Sequence, residues 1–368
     1  MQKASWQRIR GRRKWLLGIA ALLVVLLGLT GCSTVGYYGQ AIWGQTRILM
    51  ARQSIDQLIA APSTPEPLRE RLCFVRDVRS FAVEQLSLPD HGFRTYAELD
   101  NGKPRAVVWN VVAAPELSIE PLVWCFPVAG CVAYRGYFSE KRARRFADDL
   151  AGQGYDVDVG GVSAYSTLGW FEDPLLWTVI NNSDLQLAGL IFHELAHQVV
   201  YVDNDTRFNE SFATAVEIAG LQRWLEAEGR SQELDAYLLA MERESEVTAL
   251  ILDYRTHLQE LYQGALNDDA KRESKARLFE ELKEAYSAEL KTEWGVERFR
   301  WDGYFERPLN NARLVWIGAY HELVPGFQAL LAQQGDDLPA FYEAVEKLAA
   351  LSPEERTEQL RAEVSDEP

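Results

Sequence analysis

Histidine is scarce in this chain, five in 368 residues, so a motif that uses two of them at fixed spacing is informative. Cysteine is scarcer still, at four. Cys125 and Cys131 have no His or further Cys near them in sequence. A short disulfide loop containing Pro127 and Gly130 is therefore favoured over a metal site. Cys73, in Leu72-Cys73-Phe74-Val75, reads as a buried free thiol. Positive charge is in deficit, with 38 Lys and Arg against 54 Asp and Glu and a net charge of −16. That balance argues against nucleic acid as a partner and against electrostatic adhesion to anionic lipid. There is no phosphate-binding glycine loop and no internal repeat, and neither a P-loop fold nor a solenoid is expected. What is plentiful is apolar residues, at 47%, enough for one sizeable core or two domains.

Residues 1–32 read as a targeting segment. Lys3, Arg8, Arg10, Arg12, Arg13 and Lys14 precede an apolar run from Trp15 to Leu29, and Leu29-Thr30-Gly31-Cys32 follows. The run is short for a span of ~20 residues. Leu29–Cys32 resembles a bacterial lipobox, which implies cleavage before Cys32 and lipid on its thiol; an uncleaved single-span anchor is the alternative. Ser33, rather than Asp, after the cysteine implies sorting to an outer membrane, facing the periplasm.

The most specific signal is His193-Glu194-Leu195-Ala196-His197. On a helix it stacks two imidazoles one turn apart on one face, where both can bind one Zn²⁺. Glu194 then faces the open coordination position, where a water would sit. Glu210, on a second helix at about 208–228, can add a carboxylate as third ligand. Ser183-Asp184-Leu185-Gln186 is a capping box that starts the first helix, expected over about 183–202. Leu187, Leu190, Ile191, Leu195 and Val199 give it an apolar stripe. A plain buried helix with two hydrogen-bonded His would leave Glu194 buried without a partner.

His193–Gln198 with Asn209–Glu217 resembles the gluzincin pattern of the membrane-alanyl-type aminopeptidases, in which a Glu follows HExxH inside an NEGFA-like segment. The block from Cys125 to about Leu225, with Cys125–Cys131, Gly160–Trp170 and Leu309–Leu314, is similar to a family of bacterial lipoproteins described as predicted zinc aminopeptidases. Twelve residues separate His197 from Glu210, fewer than in the alanyl aminopeptidases. Their amine-holding glutamate, in a GxMEN-like strand, has no clear counterpart here. The resemblance implies peptide hydrolysis with zinc as cofactor, a peptide as substrate, and an α+β, mostly helical fold. That fold would have a zincin-like core, a small mixed sheet plus active-site helix, and a helical C-terminal region. It also implies roles for other residues: Glu194 as general base, and Tyr320, His321 or Tyr304 as donor to the developing oxyanion. An edge strand with Gly161, Ser163 and Ala164 would bind the peptide backbone, where Gly160 and Gly161 let the chain pass closely. Glu217, two turns after Glu210, would hold the outer nitrogen of a ligating His. Asn310 and Asn311 either bind substrate or cap a helix. Glu172 and Asp173 are the acids nearest that strand's far end, where a free amine would need one. An endopeptidase or a cell-wall-peptide hydrolase is the nearest alternative, and a non-catalytic zinc-binding assembly lipoprotein is a further one. His91 and His257 read as surface histidines. The sequence does not give the oligomeric state.

The organisation expected is a catalytic region at 33–229, a helical region at 230–351 and a disordered acidic tail at 352–368. Residues 33–90 read as two helices. Residues 95–112 read as a hairpin turning at Asn101-Gly102, residues 140–151 as a helix, and 155–167 as a strand. Residues 231–293 read as two long helices turning near Asn267-Asp268-Asp269. Residues 309–334 and 338–350 each read as one helix.

Overall fold

The structure is a computed structural model that describes residues 36–99, 106–126, 130–163 and 173–365. Two compact units are distinguished, 1–50 and 51–368. Cys32 and the leader lie outside the described residues. In the first unit residues 36–50 form one helix, α1.

The second unit is mostly helical with small sheets. It opens with β1 (Arg52–Ser54), α2 (Ile55–Ala60) and α3 (Glu66–Leu86). Among the described residues, 36–90 thus hold three helices and a strand where 33–90 had read as two helices. Next come β2 (Thr95–Ala97), β3 (Val108–Pro115), β4 (Trp124–Phe126), β5 (Gly130–Val132), β6 (Arg135–Tyr137), α4 (Glu140–Ala151), β7 (Tyr155–Val162) and β8 (Leu175–Leu176). The expected hairpin between residues 95 and 112 is not formed. β2 pairs with β1 and β8, while β3 pairs antiparallel with β6 and β7, in a different sheet. Long-range pairing overrides the local turn signal, and Asn101-Gly102 lies outside the described residues. β4 and β5 form a small hairpin joined by the Cys125–Cys131 disulfide. Cys73 is a free thiol but half-buried, not buried.

Two helices carry the centre of the unit, α5 (Asp184–Ala196) and α6 (Thr206–Ala227). Ser183 and Gln186 close the capping box at the start of α5. α5 is apolar on nearly every side: Leu187, Ala188, Ile191, Phe192, Leu195 and Ala196 are all fully buried. It crosses α6 at two glycines. A Cβ at Gly220 would meet Phe192 Cδ2 at 2.7 Å, and one at Gly189 would meet the Glu217 carboxylate at 2.8 Å. A methyl at either position would have to push aside a side chain, the Phe192 ring at Gly220 and the Glu217 carboxylate at Gly189. α3 and the C-terminal helices α12 (Val324–Gln333) and α13 (Leu338–Ala349) complete this core, with Phe208, Phe212, Phe327 and Phe341 at its middle.

A second core lies under the long hairpin of α7 (Ser231–Gln263) and α8 (Asp268–Glu284), which turns at the N-cap Asn267. α8 continues through a π turn (Ala285–Leu290) into α9 (Lys291–Glu293). α10 (Asp302–Phe305) and α11 (Asn311–His321) follow. Lys275 of α8 reaches Asp156 of β7 at 2.6 Å, and Asn311 N–H donates to the same carboxylate at 2.8 Å. The regions expected on either side of residue 230 therefore share one compact unit. α11 and α12 are separate helices where residues 309–334 had read as one, because Pro325 forces a new start.

The acidic tail is a correction. Instead of being disordered, Pro353–Ser365 forms α14. Leu360 is buried in the main core, and Arg356, 4% exposed at its side chain, donates to Asp205 at 2.9 Å. Composition says how well a segment is solvated alone; it does not count a partner supplied from 150 residues away.

Candidate metal centre

α5 ends at Ala196, not at residue 202, and His197 is its C-cap. Only the first part of the expected length is needed, since His193 and His197 already lie one turn apart. The chain then loops from Gln198 to Asp205. Asn209 closes this loop with two bonds: its Nδ2 donates to Val202 O and its Oδ1 accepts from Val202 N–H, both at 2.8 Å. Asp205 caps α6 by accepting from Phe208 N–H at 3.0 Å. Glu210 stands in the first turn and a half beyond that cap, and so is delivered to the two histidines.

His193 Nε2 lies 3.4 Å and His197 Nε2 3.8 Å from Glu210 Oε2. The ligand atoms of all three residues fall within 4.8 Å of one another. Four ligands at 2.0–2.1 Å in a tetrahedron stand about 3.4 Å apart. These distances suit the edges of such a tetrahedron, and the three residues could hold a metal ion. The imidazoles meet edge to face, with centroids 4.9 Å apart.

The electrostatics point the same way. Burial disfavours charge on His193, but hydrogen bonds to Glu210 and Glu217 outweigh it and raise its pKa to about 10. His197 is driven down to about 4, by burial first and then by the charge on His193. The His193 ring thus lies between two carboxylates, Glu210 at Nε2 and Glu217 at Nδ1, and their negative charge favours a positive charge here.

Glu217 is where its spacing placed it. Its Oε2 lies 3.2 Å from His193 Nδ1. Gly189, one turn before His193, leaves the room for that carboxylate. The outer nitrogen of His197 is buried and has no hydrogen-bond partner among the described residues. Glu194, next along α5, is half-buried. Tyr201 was not singled out in the sequence. Its ring centroid is 6.4 Å from that of His197. Its pKa is raised by burial and then by the nearby charges of Glu210 and Asp203. The missed signals were positional: Gly189 lies four residues before the first His, Tyr201 four after the second, and Asn209 immediately before Glu210.

A family profile described as "Putative aminopeptidase" matches residues 36–360. The chain belongs to that family. Comparison with individual curated proteins and with solved structures gave no match. The family match covers α5, α6 and all three of His193, His197 and Glu210.

The other expected site residues divide. β7 pairs only with β3 among the described residues. Val162 O accepts from Val107 N–H, so the backbone groups of Gly161, Val159 and Val157 face away from β3. Asn310 donates to Val157 O at 3.0 Å and caps α11 through its Oδ1. Asn311 is fully buried and donates to the carbonyls of Pro115, Glu116 and Ser118, while Tyr262 donates to it. Of the two readings offered for these asparagines, Asn310 takes the helix cap, and the Asn311 amide is engaged by backbone carbonyls inside the fold. Ser163 O accepts from the Thr178 hydroxyl. Ala164 and Glu172 lie outside the described residues. Asp173 O accepts from Phe93 N–H. Tyr304 packs with Trp301 and Phe305 in the second core and not beside the histidines. Tyr320 and His321 are in the last turn of α11, and their side chains lie outside the described set.

Proposed function

We propose that this chain is a zinc-dependent peptidase, an aminopeptidase, held at the cell envelope by lipid on Cys32. The reading places it on the outer membrane facing the periplasm, with a peptide as substrate and residues 33–229 as the catalytic region on a zincin-like core. The observation that carries it is the group His193, His197 and Glu210 with Glu194 on the same helix, in a chain of this family. Bound zinc would acidify a water and polarise the scissile carbonyl.

The chain's own residues supply the rest. Glu194 takes the water's proton and passes it to the leaving amine. Glu217 accepts from His193 Nδ1–H, which fixes the tautomer that leaves Nε2 free to ligate. Tyr201 or Tyr320 donates to the charge developing on the carbonyl oxygen. The edge of β7 at Gly161, which pairs with no strand among the described residues, suits an extended peptide backbone.

The test is Glu194→Gln. It should keep its zinc and lose ~10²–10⁴-fold in hydrolysis of short peptides with free N-termini. Turnover within a few-fold of the parent would remove Glu194 from the reaction. Equal turnover of free and N-acetylated peptides would replace the aminopeptidase with an endopeptidase and leave the zinc chemistry standing.

A further inference from the structure

α1 differs from the rest of the chain in two independent ways. It leaves large apolar side chains bare: Ile42, Trp43 and Met50 are 66%, 65% and 82% exposed. Trp43 and Met50 are seven residues apart, two turns along one face, and Ile42 adjoins them. Gly39 and Thr46 share that side and are small. On the other side Gly44 and Ile48 are buried. The helix thus has one buried side and one exposed apolar side.

Its charge is also anomalous. In a protein of net charge −16, the first acidic residue is Asp56. Arg47 is the one charged residue in α1, Arg52 follows it, and Tyr37 and Tyr38 form an aromatic pair at its start. An apolar stripe bearing Trp, with aromatic and cationic neighbours and no acid, is the composition of a helix lying in a bilayer interface. A protein partner gives no reason for excluding acid from so long a stretch, whereas an anionic headgroup layer does. Chain length fits too. Four residues lead from Cys32 to Gly36, a reach of at most ~14 Å. A lipid on Cys32 would therefore start α1 at headgroup depth.

We propose that α1 lies flat on the membrane surface with the Ile42, Trp43 and Met50 face set into the boundary between headgroups and acyl chains. This rests on the lipid-anchor reading above. It makes attachment two-part, a lipid and a helix.

The test uses the processed chain, purified from membranes with its lipid on Cys32, in vesicles of phosphatidylethanolamine and phosphatidylglycerol. Trp43 is one of 11 tryptophans, so its emission is isolated as the difference between the parent and Trp43→Phe. Flotation of the vesicles is scored first. Lipids brominated high on the acyl chain or near its end are then used as quenchers. The expected result is that the protein floats and that Trp43 loses at least half its emission, more to the shallow bromine than to the deep one. Protein that does not float overturns the anchor and the face together. Protein that floats with Trp43 unquenched and water-like in emission keeps the anchor and overturns the face. Trp43 that is blue-shifted yet unquenched overturns it in favour of a second copy of the chain covering α1.

Discussion

Arg356→Ala tests whether the C-terminal helix belongs to the metal centre's support. Arg356 Nε donates to Asp205 at 2.9 Å, with side chains 4% and 12% exposed. Its Nη1 donates to Ala349 O and Leu351 O, and its guanidinium lies 5.3 Å from the Phe208 ring centroid. Removing one partner of a buried pair costs about 3–5 kcal/mol. Asp205 keeps its bond from Phe208 N–H, which moves the expectation toward the lower end, while the two abandoned carbonyls add about 1 kcal/mol each. We expect a loss of about 3–5 kcal/mol in urea unfolding. The coupling with Asp205 in a double-mutant cycle should exceed ~1 kcal/mol. Because Asp205 caps the helix that carries Glu210, zinc affinity should fall several-fold as well. A cost below ~1 kcal/mol, with residues 353–365 cleaved by protease as fast as in an unfolded peptide, would refute the reasoning.

Gly189→Ala should leave stability nearly unchanged, since Ala favours the helix by up to ~1 kcal/mol, yet displace the Glu217 carboxylate. Zinc affinity should drop ~10–100-fold, as for Glu217→Ala; if the two losses add in the double mutant, the glycine acts by another route. Zinc uptake near pH 7.5 should release at least one proton per chain, that of His193, which titrates far above that pH while His197 titrates far below it, and a further fraction as the zinc-bound water ionises. Calorimetry in buffers of different ionisation enthalpy that finds no release would mean that His193 does not carry a second proton before zinc binds. Tyr201→Phe and Tyr320→Phe should separate the oxyanion donor. The donor's loss should lower kcat by ~10²-fold or more with zinc content and KM little changed, and an unaltered kcat removes that tyrosine from the role.

What the sequence determined by itself is what short range decides. The capping box at Ser183, the one-turn spacing of His193 and His197, the α7–α8 turn at Asn267 and helix α4 each depend on neighbours within a few residues, and each is where the pattern put it. Glu217 was legible too, because two turns of one helix carry it back to the face of Glu210. The Cys125–Cys131 bridge needed only a short loop with no competing ligand nearby. Tertiary structure alone decided which polar groups are used internally. Asn311 faces carbonyls nearly 200 residues away, Arg356 answers Asp205 across 151, and β2 and β3 part into different sheets despite the turn signal between them. It also decided which other residues stand beside the histidines. Gly189 matters only because α6 brings Glu217 against it, and Tyr201 only because α5 stops at Ala196 and the chain turns there. Periodicity fixes which face of an element is apolar; it does not say what the rest of the chain will place against the other faces.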